Sequence, residues 1–163
     1  MKSNIKSKKL SHTSGDGRPQ MVNVSDKMIT KRTARAQATV RLGKEIVKLI
    51  REEELTTKKG PVFQTAIVAG VMAAKKTHEL IPMCHPLALG DCQIKISRKE
   101  ETAVVESEVT VTSKTGVEME ALTAAAVAAL TIYDMCKALS HDIVIEEIKL
   151  MEKTGGKSDF KRS

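Results

Sequence analysis

The stretch CQIKISRKEETAVVESEVTV, residues 92–111, decides the fold. Cys92, Ile94 and Ile96 share one parity, and so do Ala103, Val105, Ser107, Val109 and Val111. A period of two marks strands with one buried face. The charged run Lys99-Glu100-Glu101 turns the chain between them, so an antiparallel pair is expected at about 91–98 and 103–112. Working outward, a helix is expected on each side. Lys59-Gly60-Pro61 is a breaker with Pro placed to start a helix over 61–80. Residues 117–139 are rich in Ala and Leu and contain no Gly or Pro, so they read as a long helix. Beyond the helices, Ala34, Ala36, Ala38, Val40 and Leu42 alternate along a strand at 33–42, and a last strand covers about 143–151. Ile46, Val47, Leu49 and Ile50 suggest a short helix at 44–54. With that helix set aside, the order is β-α-β-β-α-β: an α+β, ferredoxin-like plan with one antiparallel sheet covered by helices.

Length and charge narrow the function. The chain has 163 residues, enough for one domain with its own core. Its net charge is +7. Residues 1–20 carry five cations against Asp16, and 149–163 carry five against Glu152 and Asp159, so the tails hold the whole excess. The body is neutral, which argues against a basic nucleic-acid-reading face. The only aromatic residues are Phe63, Tyr133 and Phe160, too few for base stacking. We therefore expect a domain over 21–152 between a mobile basic arm, 1–20, and a flexible Gly-Lys tail, 153–163. Three scattered cysteines suggest no disulfide framework and fit a reducing, cytoplasmic setting. No apolar stretch reads as a membrane span and no nucleic acid is expected as partner.

Chemistry is most plausible where polar residues meet stiff backbone. Pro82 and Pro86 bracket Met83-Cys84-His85. Adjacent Cys and His rarely chelate one metal, and no companion ligand motif exists, so no metal is expected. Glu118 and Glu120 stand at the start of the long helix, where carboxylates gain from its dipole. Asp134 and Lys137 lie three apart near its end, on one face. An aspartate there opposes the dipole, which asks for a functional reason. Glu120 and Asp134 are about 21 Å apart along a helix. One site using both needs either a late helix start or helices from two subunits. Lys59 stands before a Pro-started helix and could meet an anion. Gly155-Gly156-Lys157-Ser158 is no P-loop, because Met151 occupies the place of the first glycine. It could still clamp an anion.

Three strings carry a resemblance: MVNVSDK at 21–27, KGPVFQTAIVAGVMAAKKTHELIPMCHPL at 59–87, and GVEMEALTAAAVAALTIYDMCKA at 116–138, with KTGGKSDF at 153–160. Together they resemble the cyclic pyranopterin monophosphate synthase (MoaC) family of molybdenum cofactor biosynthesis. The resemblance runs from about His12 to Phe160. It implies a homohexamer, a trimer of dimers, with active sites at the dimer interface. It implies a small-molecule purine substrate, 3′,8-cyclo-7,8-dihydroguanosine triphosphate, converted to cyclic pyranopterin monophosphate with release of diphosphate. No cofactor is required. By the family's motif, Asp134 is the general acid/base, Lys137 its partner and Lys59 a further acid/base or phosphate group. Met83, Cys84, His85, Met119 and Glu120 would line the substrate site, with Glu118, Arg32 and Lys157 binding or positioning anions. Two positions depart from the family's pattern: Asn23 stands for the Asp of MVDVS, and Asp159 for the last Gly of GGKSG. The rival reading is a noncatalytic nucleotide-phosphate-binding module, which would not need Asp134, Lys137 and Lys59 together.

Overall fold

Six elements carry the architecture of the computed structural model, which describes residues 18–163. Four long strands, β1 (Thr30–Arg41), β4 (Asp91–Lys99), β5 (Thr102–Ser113) and β6 (Val144–Thr154), form a sheet in the order β4-β5-β1-β6, every pair antiparallel. Helices α2 (Val62–Lys75) and α4 (Glu118–Cys136) cover one face. The crossover β1-α2-β4 brackets β5, and β5-α4-β6 brackets β1, which is the interleaved arrangement of the ferredoxin-like plan. The alternation read from the sequence sets the faces. Ala34, Ala36, Ala38, Val40, Ala103, Val105, Ser107, Val109 and Val111 are all buried under the helices. Ser107 belongs there because its hydroxyl donates to the Ala121 carbonyl at 2.7 Å, tying α4 to the sheet.

Packing between the helices relies on small side chains. A Cβ at Gly70 of α2 would collide with Ile94 and with the Ala124 carbonyl of α4. By length and composition α4 is apolar enough to cross a membrane, contrary to the sequence reading. Its apolarity is that of a core helix: Ala121, Ala124, Ala125, Ala128, Ala129 and Ile132 are fully buried against the sheet and α2.

Several boundaries differ from expectation, each for a local reason. The short helix shrinks to α1 (Lys44–Val47). Glu52 and Glu53 take left-handed conformations, with φ of 49° and 63°, and Arg51 and Glu54 bridge across them. The helix read over 61–80 breaks at Lys76, whose backbone leaves the helical region at φ −113° and ψ 14°; the buried Thr77 hydroxyl donates back to the Ala74 carbonyl at 3.0 Å, and α3 (Thr77–Leu80) follows. A two-residue hairpin, β2 (Thr56–Thr57) with β3 (Gly60–Pro61), precedes α2. The last strand runs on to Thr154, and β7 (Phe160–Lys161) pairs back onto it where the sequence suggested only loop. The arm read at 1–20 lies, apart from its last three residues, outside the described residues.

Candidate active site

The polar residues singled out by sequence gather in two places, one at each end of α4. At the N-terminal end, a cavity of about 760 Å³ opens between the start of α4, the Pro-bracketed loop and the ends of β1 and β6. Arg32, Met83, Cys84, His85, Glu118, Met119, Glu120 and Lys157 all line it. These are the eight residues read as substrate-binding. The stiff backbone at 82–86 brings Met83, Cys84 and His85 in half-buried. The first turn of α4 brings in Glu118, Met119 and Glu120.

Two lysines that sequence reasoning missed also line the cavity, Lys27 and Lys153. Lys153 donates to Glu118 Oε1 at 3.1 Å. A last strand ending near 151 puts Lys153 in a loop. It pairs instead with Ala34 in the β1–β6 ladder. Ala34 faces the helices, so Lys153 shares that face and meets α4. Alternation alone would not have found it: Ile148 and Leu150 face inward, and a bulge opposite Arg35 and Ala36 shifts the register so that Lys153 rather than Glu152 follows them. With Arg32 and Lys157, the lining holds four cations against the carboxyls of Glu118 and Glu120.

Glu120 is the unusual group. It is 4% exposed, and burial pushes its carboxyl up to about 7 despite a hydrogen bond from its own backbone. The neighbouring Glu118 charge adds to the rise. At neutral pH it is therefore poised between acid and base. Cys84 is raised too, first by burial and then by the charge of Glu120. Both effects favour the thiol over the thiolate.

At the other end of α4, Asp134 is clasped by two lysines of its own chain. Lys59 Nζ lies 2.8 Å from one carboxylate oxygen and Lys137 Nζ 2.7 Å from the other. The hydrogen bond from Lys137, then that from Lys59, holds Asp134 down at about 2, and the same contact raises Lys137. Lys59 is presented by the turn of the β2–β3 hairpin. Glu54 fixes that hairpin's position by accepting from the Leu55, Phe63 and Gln64 backbone N–H groups at 2.7, 2.8 and 3.0 Å. Its carboxylate caps the first turn of α2, where Pro61 offers no side-chain cap. None of the three residues Lys59, Asp134 and Lys137 lines the cavity. Because α4 begins at Glu118, the fourteen residues from Glu120 to Asp134 are helical throughout, and one chain does not bring the two clusters together.

A second concavity, about 450 Å³, lies over Arg35, Lys95, Glu106, Glu108 and Glu152. Arg35 pairs there with Glu108 and Glu152, and none of the residues singled out by sequence takes part. Among the described residues no cluster of His, Cys, Asp and Glu could hold a metal ion, and Cys84, Cys92 and Cys136 are free thiols.

Known proteins give this geometry a context. Residues 21–156 match the model of the MoaC family. The chain is 48% identical to the cyclic pyranopterin monophosphate synthase of Xanthomonas axonopodis pv. citri, covering 98% of both sequences. It is 47% identical to molybdenum cofactor biosynthesis protein 1 of Dictyostelium discoideum and 48% identical to that of Drosophila melanogaster, in each case over 94% of this chain. It spans 27% of the length of those two longer proteins. With most of its length inside the family match and a near full-length relative at this identity, the chain belongs to the MoaC family.

Proposed function

We propose that the chain is a cyclic pyranopterin monophosphate synthase, a lyase of molybdenum cofactor biosynthesis. Its substrate is 3′,8-cyclo-7,8-dihydroguanosine triphosphate, and its products are cyclic pyranopterin monophosphate and diphosphate. The observation that carries this is the cation-lined cavity in which all eight substrate-binding candidates converge. The reaction opens one ring, rebuilds another and closes a cyclic phosphate, so it consists of proton transfers and phosphoryl chemistry. Arg32, Lys153 and Lys157 meet the triphosphate and help diphosphate leave. Glu120, with its carboxyl near 7, exchanges protons with the purine-derived part, and His85 positions it. Asp134, kept ionised by Lys137 and Lys59, is the strong point charge of the second cluster and enters the proton transfers in its base form.

The two clusters form one site when the cavity of one subunit receives Asp134, Lys137 and Lys59 from another. A homohexamer built as a trimer of dimers supplies that contact. Exposed apolar side chains on the outer face of the helices support an assembly: Val68 and Met72 of α2 and Leu130 of α4 are each more than half exposed. A noncatalytic phosphate-binding module would have no use for an exposed aspartate gripped by two lysines. The deciding experiment incubates the purified protein with the cyclised triphosphate and follows diphosphate and the pterin product. Stoichiometric release of both is expected; binding without turnover would leave only the module.

A further inference from the structure

The closing hairpin brings Lys157 to the cavity, and its shape depends on a residue outside the cavity. β6 ends at Thr154 and the chain returns at Phe160. Between them Gly156, Lys157 and Ser158 line the cavity. Gly155, at the neck of this loop, has φ 81°, and a Cβ there would strike the Lys31 carbonyl of β1. Both of its main-chain polar groups are tied down. Its N–H donates to Asp159 Oδ1 at 3.1 Å, and its carbonyl accepts from Thr30 Oγ1 at 2.7 Å. The returning strand is anchored as well: the Arg162 N–H donates to the Met151 carbonyl at 2.8 Å, and its Nε to the Leu150 carbonyl at 2.9 Å. Asp159 thus spans the neck between an anchored strand and the loop it supports.

Charge alone gives no reason for a carboxylate there. Beside the mouth of a cavity that holds a polyanion, it weakens the attraction. The hydrogen bond across the neck does give one. We propose that Asp159 is a positioning residue: by accepting the Gly155 N–H it fixes the loop so that Lys157 faces the cavity and a polyphosphate bound there. The proposal rests on the reading of the cavity as a triphosphate site and adds a residue to it.

The test uses the full chain, with Asp159→Ala and Asp159→Asn. Three quantities are read: exchange of the Gly155 amide hydrogen, affinity for inorganic diphosphate by calorimetry, and KM and kcat with the cyclised triphosphate. Losing one hydrogen bond to a charged acceptor should raise KM and the diphosphate Kd about tenfold in Asp159→Ala, with kcat held within about twofold. Gly155 exchange should quicken in parallel. Asp159→Asn keeps an acceptor oxygen and should restore all three. Unchanged exchange and affinity in Asp159→Ala would overturn the proposal. So would tighter diphosphate binding in both variants, which marks a residue acting only through its charge. If the wild-type chain bound diphosphate but turned nothing over, the enzymatic reading would fail, and exchange and diphosphate affinity would still decide the role of Asp159.

Discussion

Lys59 Nζ holds Asp134 twice, donating to its carboxylate at 2.8 Å and to its main-chain carbonyl at 3.0 Å. That carbonyl is one of the last four of α4, which have no partner within the helix. One ammonium group thus closes the helix end, offsets the dipole and fixes the carboxylate. The unfavourable placement of an acid at a helix C-terminus is answered by the residue that binds it.

Asp134→Asn should therefore fold and assemble normally, because both lysines still find oxygen acceptors. Its turnover should drop by about 10²–10⁴-fold if the carboxylate exchanges protons with substrate. Thermal melting and sizing give the first half and single-turnover kinetics the second. A well-assembled variant with near-normal turnover would remove Asp134 from the chemistry.

Shared sites can be tested by mixing. Lys59 and Asp134 belong to one cluster of one chain, so variants at these two positions should not rescue each other. Asp134→Asn and His85→Ala alter different clusters. If the proposed two-fold dimers re-form at random from an equal mixture, about a quarter of the sites should be wholly native and active. Absence of recovery after verified subunit exchange would put both clusters to work within one chain.

Burial of Glu120 makes stability depend on pH. Its folded value, about 7, lies above its ordinary 4.5. Between these values the folded chain keeps a proton that the unfolded chain has lost, so stability falls as pH rises through the window. The full difference is on the order of 3 kcal/mol. Urea unfolding at pH 5 and pH 8 should show the decline in the wild type. Glu120→Gln, neutral at both, should lose most of it. An equal decline in the variant would place its origin elsewhere.

Glu54 offers a test of the scaffold behind Lys59. Glu54→Ala leaves the Leu55 N–H before β2, and the Phe63 and Gln64 N–H groups at the start of α2, without their carboxylate. A loss of about 1–3 kcal/mol in stability is expected. Turnover should fall more than the melting temperature suggests, because the hairpin bearing Lys59 loses its fixed start. Unchanged turnover in a destabilised variant would confine Glu54 to folding.

The sheet was readable because its strands bury one face only, so Ala34 to Val40 and Ala103 to Val111 announce themselves by parity. The β2–β3 hairpin was not, since four residues carry no period. The end of β6 is hidden in the sequence because a bulge after Leu150 breaks its alternation and the inward Lys153 meets Glu118 rather than the apolar core. The cavity residues followed from motif strings, and the structure adds Lys27 and Lys153 to them. That Asp134 and Glu120 stay apart is implied by helical rise, and that Lys137 meets Asp134 by their three-residue spacing; that Lys59 also holds Asp134 needs the hairpin that no pattern reveals.

The position of β1 also governs how the chain can fold. It is the earliest long strand among the described residues, yet it lies inside the sheet, with Thr33 pairing with Thr110 on one side and Thr154 on the other. Its second edge stays open until β6 (Val144–Thr154) has been made. Such distant partners predict slow folding, with the closing of β6 onto β1 late in the sequence of events. Until then the unpaired edge of β1 is a template for other chains. Removing the chain from Val144 onward should therefore give an aggregating product rather than a smaller soluble domain.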